Sequence, residues 1–74
     1  MFKYIICLDF LNKWHFFKEE KNGAGFFTCV LKDAMLFDTQ ESAKIIASGY
    51  DGAIIKRIDK FLKEMGCKNE PFKN

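Results

Sequence analysis

The dipeptide Asn22-Gly23 constrains this chain more than any other feature. Both residues tolerate the positive φ angles of a two-residue hairpin turn, and they separate two aromatic-rich segments, "WHFFK" and "FFTCVLK". An antiparallel pair should close there. Residues 2–10 alternate in the same way: Phe2, Tyr4, Ile6, Leu8 and Phe10 share one face, and Lys3, Ile5, Cys7 and Asp9 the other. The short polar break "LNK" at 11–13 links this first strand to "WHFFK". Beyond the Asn-Gly turn, Phe26, Thr28 and Val30 fall on one side and Phe27, Cys29 and Leu31 on the other, which predicts a third strand. After Lys32 and Asp33, "AMLF" at 34–37 is too short for a helix and too apolar for a loop, and reads as a short return strand.

The periodicity then changes. Asp38 or Thr39 can cap the first N–H groups of a helix, and Glu41 stands three residues after Asp38, as a capping box requires. Ala43, Ile46, Ala47 and Tyr50 lie at helical spacing, with Ile45 adjoining, and give the predicted 39–48 helix an apolar face; Ser48 and Gly49 end the helix. Ile54, Ile55, Ile58, Phe61, Leu62 and Met65 follow helical spacing, with Asp51 as a cap and Gly66 as a terminator, so a second helix is predicted. The β-branched run "AIIKRI" leaves an alternative open, a strand ahead of a shorter helix from Asp59.

These elements give an α+β fold: a small antiparallel sheet of three to four strands packed against one or two helices, with the 39–48 helix on one face. Ile6, Phe26, Val30, Ile46 and Leu62 are expected to be buried together. Residues 1–66 form a single domain, and 67–74, with Pro71 and no period, form a loose tail. At 49% hydrophobic residues the 74-residue chain lies outside the composition of disordered sequences. Its aromatic content of 16% exceeds what a two-layer core of this size needs, which leaves rings for a partner. A formal net charge of +2, with the signs interspersed, is low for a duplex-DNA binder. Cys7, Cys29 and Cys67 are odd in number and far apart, so they read as reduced thiols rather than a disulfide framework. Lys3 and Asp9 interrupt the apolar start, and no run approaches membrane-spanning length. A cytoplasmic protein without membrane partners is expected.

Residue clusters for chemistry are sparse. His15 is the one histidine, and Cys7 and Cys29 could both lie on strands near it; strand-face coincidence accounts for that more simply than a Cys/His nucleophile or a zinc site. Asp33, Asp38 and Asp51 sit where turn and cap chemistry explains them. The glycines build no phosphate-cradling loop. No catalytic residue, no metal site and no cofactor is expected, and the chain does not read as an enzyme. The mixed basic and aromatic stretch "NKWHFFKEEK" is the candidate binding surface, through Trp14, His15, Phe16, Lys13, Lys18 and Lys21. Such residues anchor protein interfaces, and they can also stack single-stranded bases. Because Trp14 and Phe16 alternate with His15 and Phe17, rings occupy both faces of that strand. If only one face packs on helices, the other meets a partner or a second copy of the chain in a homodimer.

The stretch "GFFTCVLKDAMLFDTQESAKII" resembles small accessory proteins encoded by phages and prophages, many of which fold as a β-hairpin packed on one or two helices. The resemblance spans residues 25–46. It implies a protein that inhibits or modulates a host protein by occlusion, as anti-CRISPR and other anti-defence inhibitors do. In that group "AIIKRI" is more often a strand. The alternative functional reading, taken from the residues alone, is a small single-stranded nucleic-acid-binding module.

Overall fold

A computed structural model describes residues 2–65. The predicted tail at 67–74 and the terminator Gly66 lie outside the described residues. Strand β1 (Tyr4–Phe10), β2 (Lys13–Lys21) and β3 (Ala24–Thr28) lead to a single 3-10 turn at Leu31–Asp33; α1 (Gln40–Ala47), β4 (Ile54–Arg57) and α2 (Ile58–Glu64) follow. The strands form one antiparallel sheet in the order β3-β2-β1-β4, so the predicted α+β class holds.

Two-residue turns close both hairpins. Asn22 and Gly23 have φ angles of 53° and 80°, as the sequence leads one to expect of an Asn-Gly turn. Leu11 and Asn12 make the same kind of turn between β1 and β2, at φ 54° and 63°.

The segment 54–65 corrects the prediction of one long helix. Ile54–Arg57 is a strand paired with the start of β1, with Ile55 opposite Ile6 and Ile54 opposite Cys7, and only Ile58–Glu64 is helical. Ladder bonds to β1 suit the β-branched pair Ile54-Ile55 better than a helix does. Asp51 does not cap α2. Arg57 holds the cap position without a side-chain cap bond, and its guanidinium instead donates to both carboxylate oxygens of Asp59 in the first turn, at 2.7 and 3.0 Å. That contact holds the Asp59 carboxyl below its ordinary pKa. Thr39 is the α1 cap, its hydroxyl oxygen accepting from the Ser42 amide at 3.1 Å, while Asp38 pairs with Lys3.

The segment 34–37 is not a full return strand. It meets β1 in a single bridge, where Tyr4 and Phe37 exchange both backbone hydrogen bonds at 2.8 and 2.9 Å, and the Met35 amide donates to the Phe17 carbonyl. The reason lies in β2. Its pairing with β1 runs only from Phe16 to Lys13, and a bulge between Phe17 and Glu19 shifts its register with β3. The 34–37 segment takes the place beside Tyr4 that β2 has vacated, and it satisfies the backbone groups left there.

The core also departs from expectation. Along β1, Ile5, Ile6 and Cys7 are all buried, so both faces of the sheet are covered. One cluster joins Ile6, Phe17, Phe37, Ala43 and Ala47, with Phe27, Ile46, Tyr50 and Ile55 packed around it. The other joins Ile5, Cys7, Phe16, Ala34, Ile58, Phe61 and Leu62, with Trp14 and Leu31. Ile6 and Leu62 are therefore buried on opposite faces rather than together. Phe26 and Val30 are about half exposed, at 48% and 47%, and Ile45 points to solvent. Several of the extra aromatic rings are taken up because the sheet has two apolar faces, while Phe2, Phe10 and Phe26 stay exposed.

Gly25 marks one close approach. A Cβ built there would run into the Tyr50 hydroxyl, and the Tyr50 ring is held by Phe17 and Phe27 at centroid distances of 5.9 and 5.2 Å. Gly25→Ala should cost about 1–3 kcal/mol in denaturant unfolding, the usual penalty of overpacking. The cost should largely vanish in a Tyr50→Ala background, because the clash partner is gone. Leu62→Ala, which leaves a cavity in the second cluster, should cost about 2–5 kcal/mol. A midpoint unchanged from the parent's would show that α2 does not pack on the sheet.

Candidate functional site

The residues predicted from "NKWHFFKEEK" do not share one surface. Lys13, Lys18 and Lys21 are exposed. Phe16, at 3% exposure, is a core residue, because α2 covers its face and Phe61 meets it edge-on at 5.5 Å. Its assignment as a binding residue is corrected on that ground. The stacking platform of paired Trp14 and Phe16 rings is thereby lost. Trp14 is half-buried on the same face, edge-on to Phe61 at 5.8 Å. Lys56 lies 5.6 Å from the Trp14 ring centroid and is itself paired with Glu64 at 2.8 Å, so Trp14 belongs partly to the packing of α2.

His15 points to the other face. Its ring meets Phe10 edge-on at 5.8 Å, and its Nδ1 lies 3.4 Å from the Cys29 Sγ. The register brings these two together: Phe16 pairs with Thr28, so the next positions outward, His15 and Cys29, stand opposite one another. β3 ends at Thr28, whose hydroxyl oxygen accepts from the Val30 amide at 3.0 Å and turns the chain out of the sheet. Cys29 is consequently exposed where Cys7 is buried. Strand-face coincidence, the simpler reading of these cysteines' nearness to His15, does not hold for both: Cys29 is placed beside it.

Cys7 is chemically different. Burial pushes its thiol up to about 12, only partly opposed by the nearby Lys56 ammonium. A thiol kept protonated is a poor nucleophile and metal ligand, and Cys7 acts as a small apolar filler between Ile54 and Phe16 on neighbouring strands.

An open groove of about 380 Å³ is lined by Lys13, Trp14, Phe16, Cys29, Leu31 and Met65. Beside it, the β1–β2 turn presents Phe10 and Leu11, 55% and 80% exposed. Neither stood among the predicted site residues, since Phe10 read as part of an alternating strand face and Leu11 as part of a polar break. No group of three or more His, Cys, Asp or Glu side chains that could hold a metal ion occurs among the described residues. Among them, no helix is long and apolar enough to cross a membrane. No protein-family model, curated protein or solved structure matches the chain.

The Cys7 thiol gives a pH dependence. The folded chain keeps the proton up to about 12, whereas an unfolded chain begins to release it near the ordinary value of 9.0. The raised folded value therefore contributes stability that is full below 9.0 and is lost progressively as pH rises towards 12. In unfolding curves taken across that window, Cys7→Ala should show a shallower decline than the parent. Equal slopes would mean that Cys7 is not the group responsible.

Proposed function

We propose that this chain is a small binding protein that inhibits or modulates a host protein by occlusion, in the manner of phage anti-defence proteins. The contact is made at the β1–β2 turn. Leu11 is the observation that carries this reading. A leucine at φ 54° pays for a left-handed conformation that Gly, Asn or Asp would adopt more cheaply, and at 80% exposure it returns nothing to the core. A residue that breaks a local folding rule without structural gain is the kind retained for what it touches. Phe10 beside it is also exposed, and Lys13, paired with Phe10 across the ladder, adds a cation at the rim. An apolar centre with a polar edge is the anatomy of a protein-recognition patch. The phage setting rests on the resemblance of residues 25–46 described above.

The turn also makes the test clean. Leu11→Asn should leave stability unchanged or raise it by up to about 1 kcal/mol, because Asn accepts the left-handed region more readily. The same substitution should weaken capture of a partner from bacterial lysate, identified by mass spectrometry, by about 2 kcal/mol or more. Capture undiminished in a well-folded Leu11→Asn variant would remove the turn from the interface. Trp14→Ala is a poorer probe, since losing the Phe61 contact disturbs α2 as well.

A further inference from the structure

We propose that Cys29 and His15 form a nucleophilic thiol–imidazole pair that adds to α,β-unsaturated carbonyl compounds carrying an apolar substituent seated in the groove beside Trp14. Three observations converge on it. The sulfur and an imidazole nitrogen lie at 3.4 Å, with the second ring nitrogen at 4.0 Å, within reach for transfer of the thiol proton. The imidazole is held in place by the edge-on Phe10 ring on one side and by the ladder position of His15 opposite Leu8 on the other. Cys29 is exposed and in no disulfide among the described residues, and it also lines the groove, whose other described apolar walls are Trp14, Phe16, Leu31 and Met65. Among the described residues, Lys13 is the one charged side chain of that lining.

The chemistry balances without a further reactant. His15 Nδ1 takes the thiol proton as the Cys29 sulfur bonds to the β-carbon of the alkene. The π pair moves to the α-carbon and carbonyl oxygen, where the Lys13 ammonium opposes the developing negative charge. The imidazolium then returns the proton to the α-carbon, leaving a thioether and neutral histidine. Nothing is oxidised or reduced, and the apolar substituent is taken out of water against the groove wall.

The test follows labelling of the full-length chain by N-phenylmaleimide at neutral pH, residue by residue through peptide mass, with N-acetylcysteine amide as reference thiol. Cys29 should react about a hundredfold or more faster than the reference, the lower end of what a positioned base supplies. His15→Asn and His15→Gln, each checked for an unchanged melting transition, should bring Cys29 back to the reference rate. The excess over the reference should also be larger for N-phenylmaleimide than for N-methylmaleimide. A native Cys29 no faster than the reference overturns the proposal whatever the variants do, and so does full speed in a folded His15 variant. Equal excess with the two maleimides would overturn the role of the groove. Partner capture through Leu11 is measured separately, so either reading can fail without the other.

Discussion

Ile5 and Ile6 point to opposite faces of the sheet and neither keeps any accessible surface, so β1 can be stable only with a layer of side chains on each side. Each such side chain contributes on the order of 1.5–3 kcal/mol when fully buried, a large share of what a domain this small can muster. The need for two covers explains the order of elements. α1 crosses one face and brings Ala43 and Ala47 against Ile6 and Phe17; the chain then returns as β4 on the free edge of β1 and enters α2 on the opposite face. Small residues on α1 let its backbone come close to the sheet. On the other face, Phe61 fills the space between Trp14 and Phe16.

The sheet also has to manage the length mismatch between its hairpins. β2 is nine residues long, whereas β1 is seven, and the two pair over only four positions. The bulge after Phe17 lets β2 stay with β3 while separating from β1, and the 34–37 segment closes the gap with backbone hydrogen bonds to both strands. Ala34 and Phe37 then drop into different clusters, so this short piece ties the two cores together.

How much of this was legible in the chain depends on the range of the forces involved. The Asn22-Gly23 turn, the three-strand opening and the Thr39 boundary are set by residues within a few positions of one another, and they read directly. The fate of 54–58 was not legible in the same way. Ile54, Ile55 and Ile58 satisfy helical spacing and strand propensity alike, and the decision falls to β1, whose open edge lies some fifty residues away in sequence and offers ladder bonds. The predicted core erred through the same nonlocality: assigning one helix layer left a face of aromatic rings without cover, whereas α2 packs over it. Of the candidate site, Lys13, Trp14 and His15 lie on β2, with Trp14 and His15 on opposite faces as the alternation predicts. Phe16 was lost to the second cover, and Leu11 was invisible because its conformation, not its identity, is what sets it apart.

Burial along β1 declines in one direction, from the sealed stretch Ile5 to Cys7, through partly buried Leu8, to the exposed Phe10 and the Leu11 turn. Both helices cover the sealed stretch, and the hairpin end projects past that cover. The backbone there is set by the β1–β2 ladder and the positive-φ turn rather than by helix packing. Residues at that end are held in fixed positions while being excused from stabilising the core, the condition under which a surface can change its chemistry at small cost to folding. Leu11, Phe10, His15 and Cys29 all belong to that end, and the buried Cys7 thiol belongs to the other. The division separates two environments for the same side-chain types: at the sealed end a cysteine and an aromatic ring fill volume, and at the open end they stand exposed to solvent.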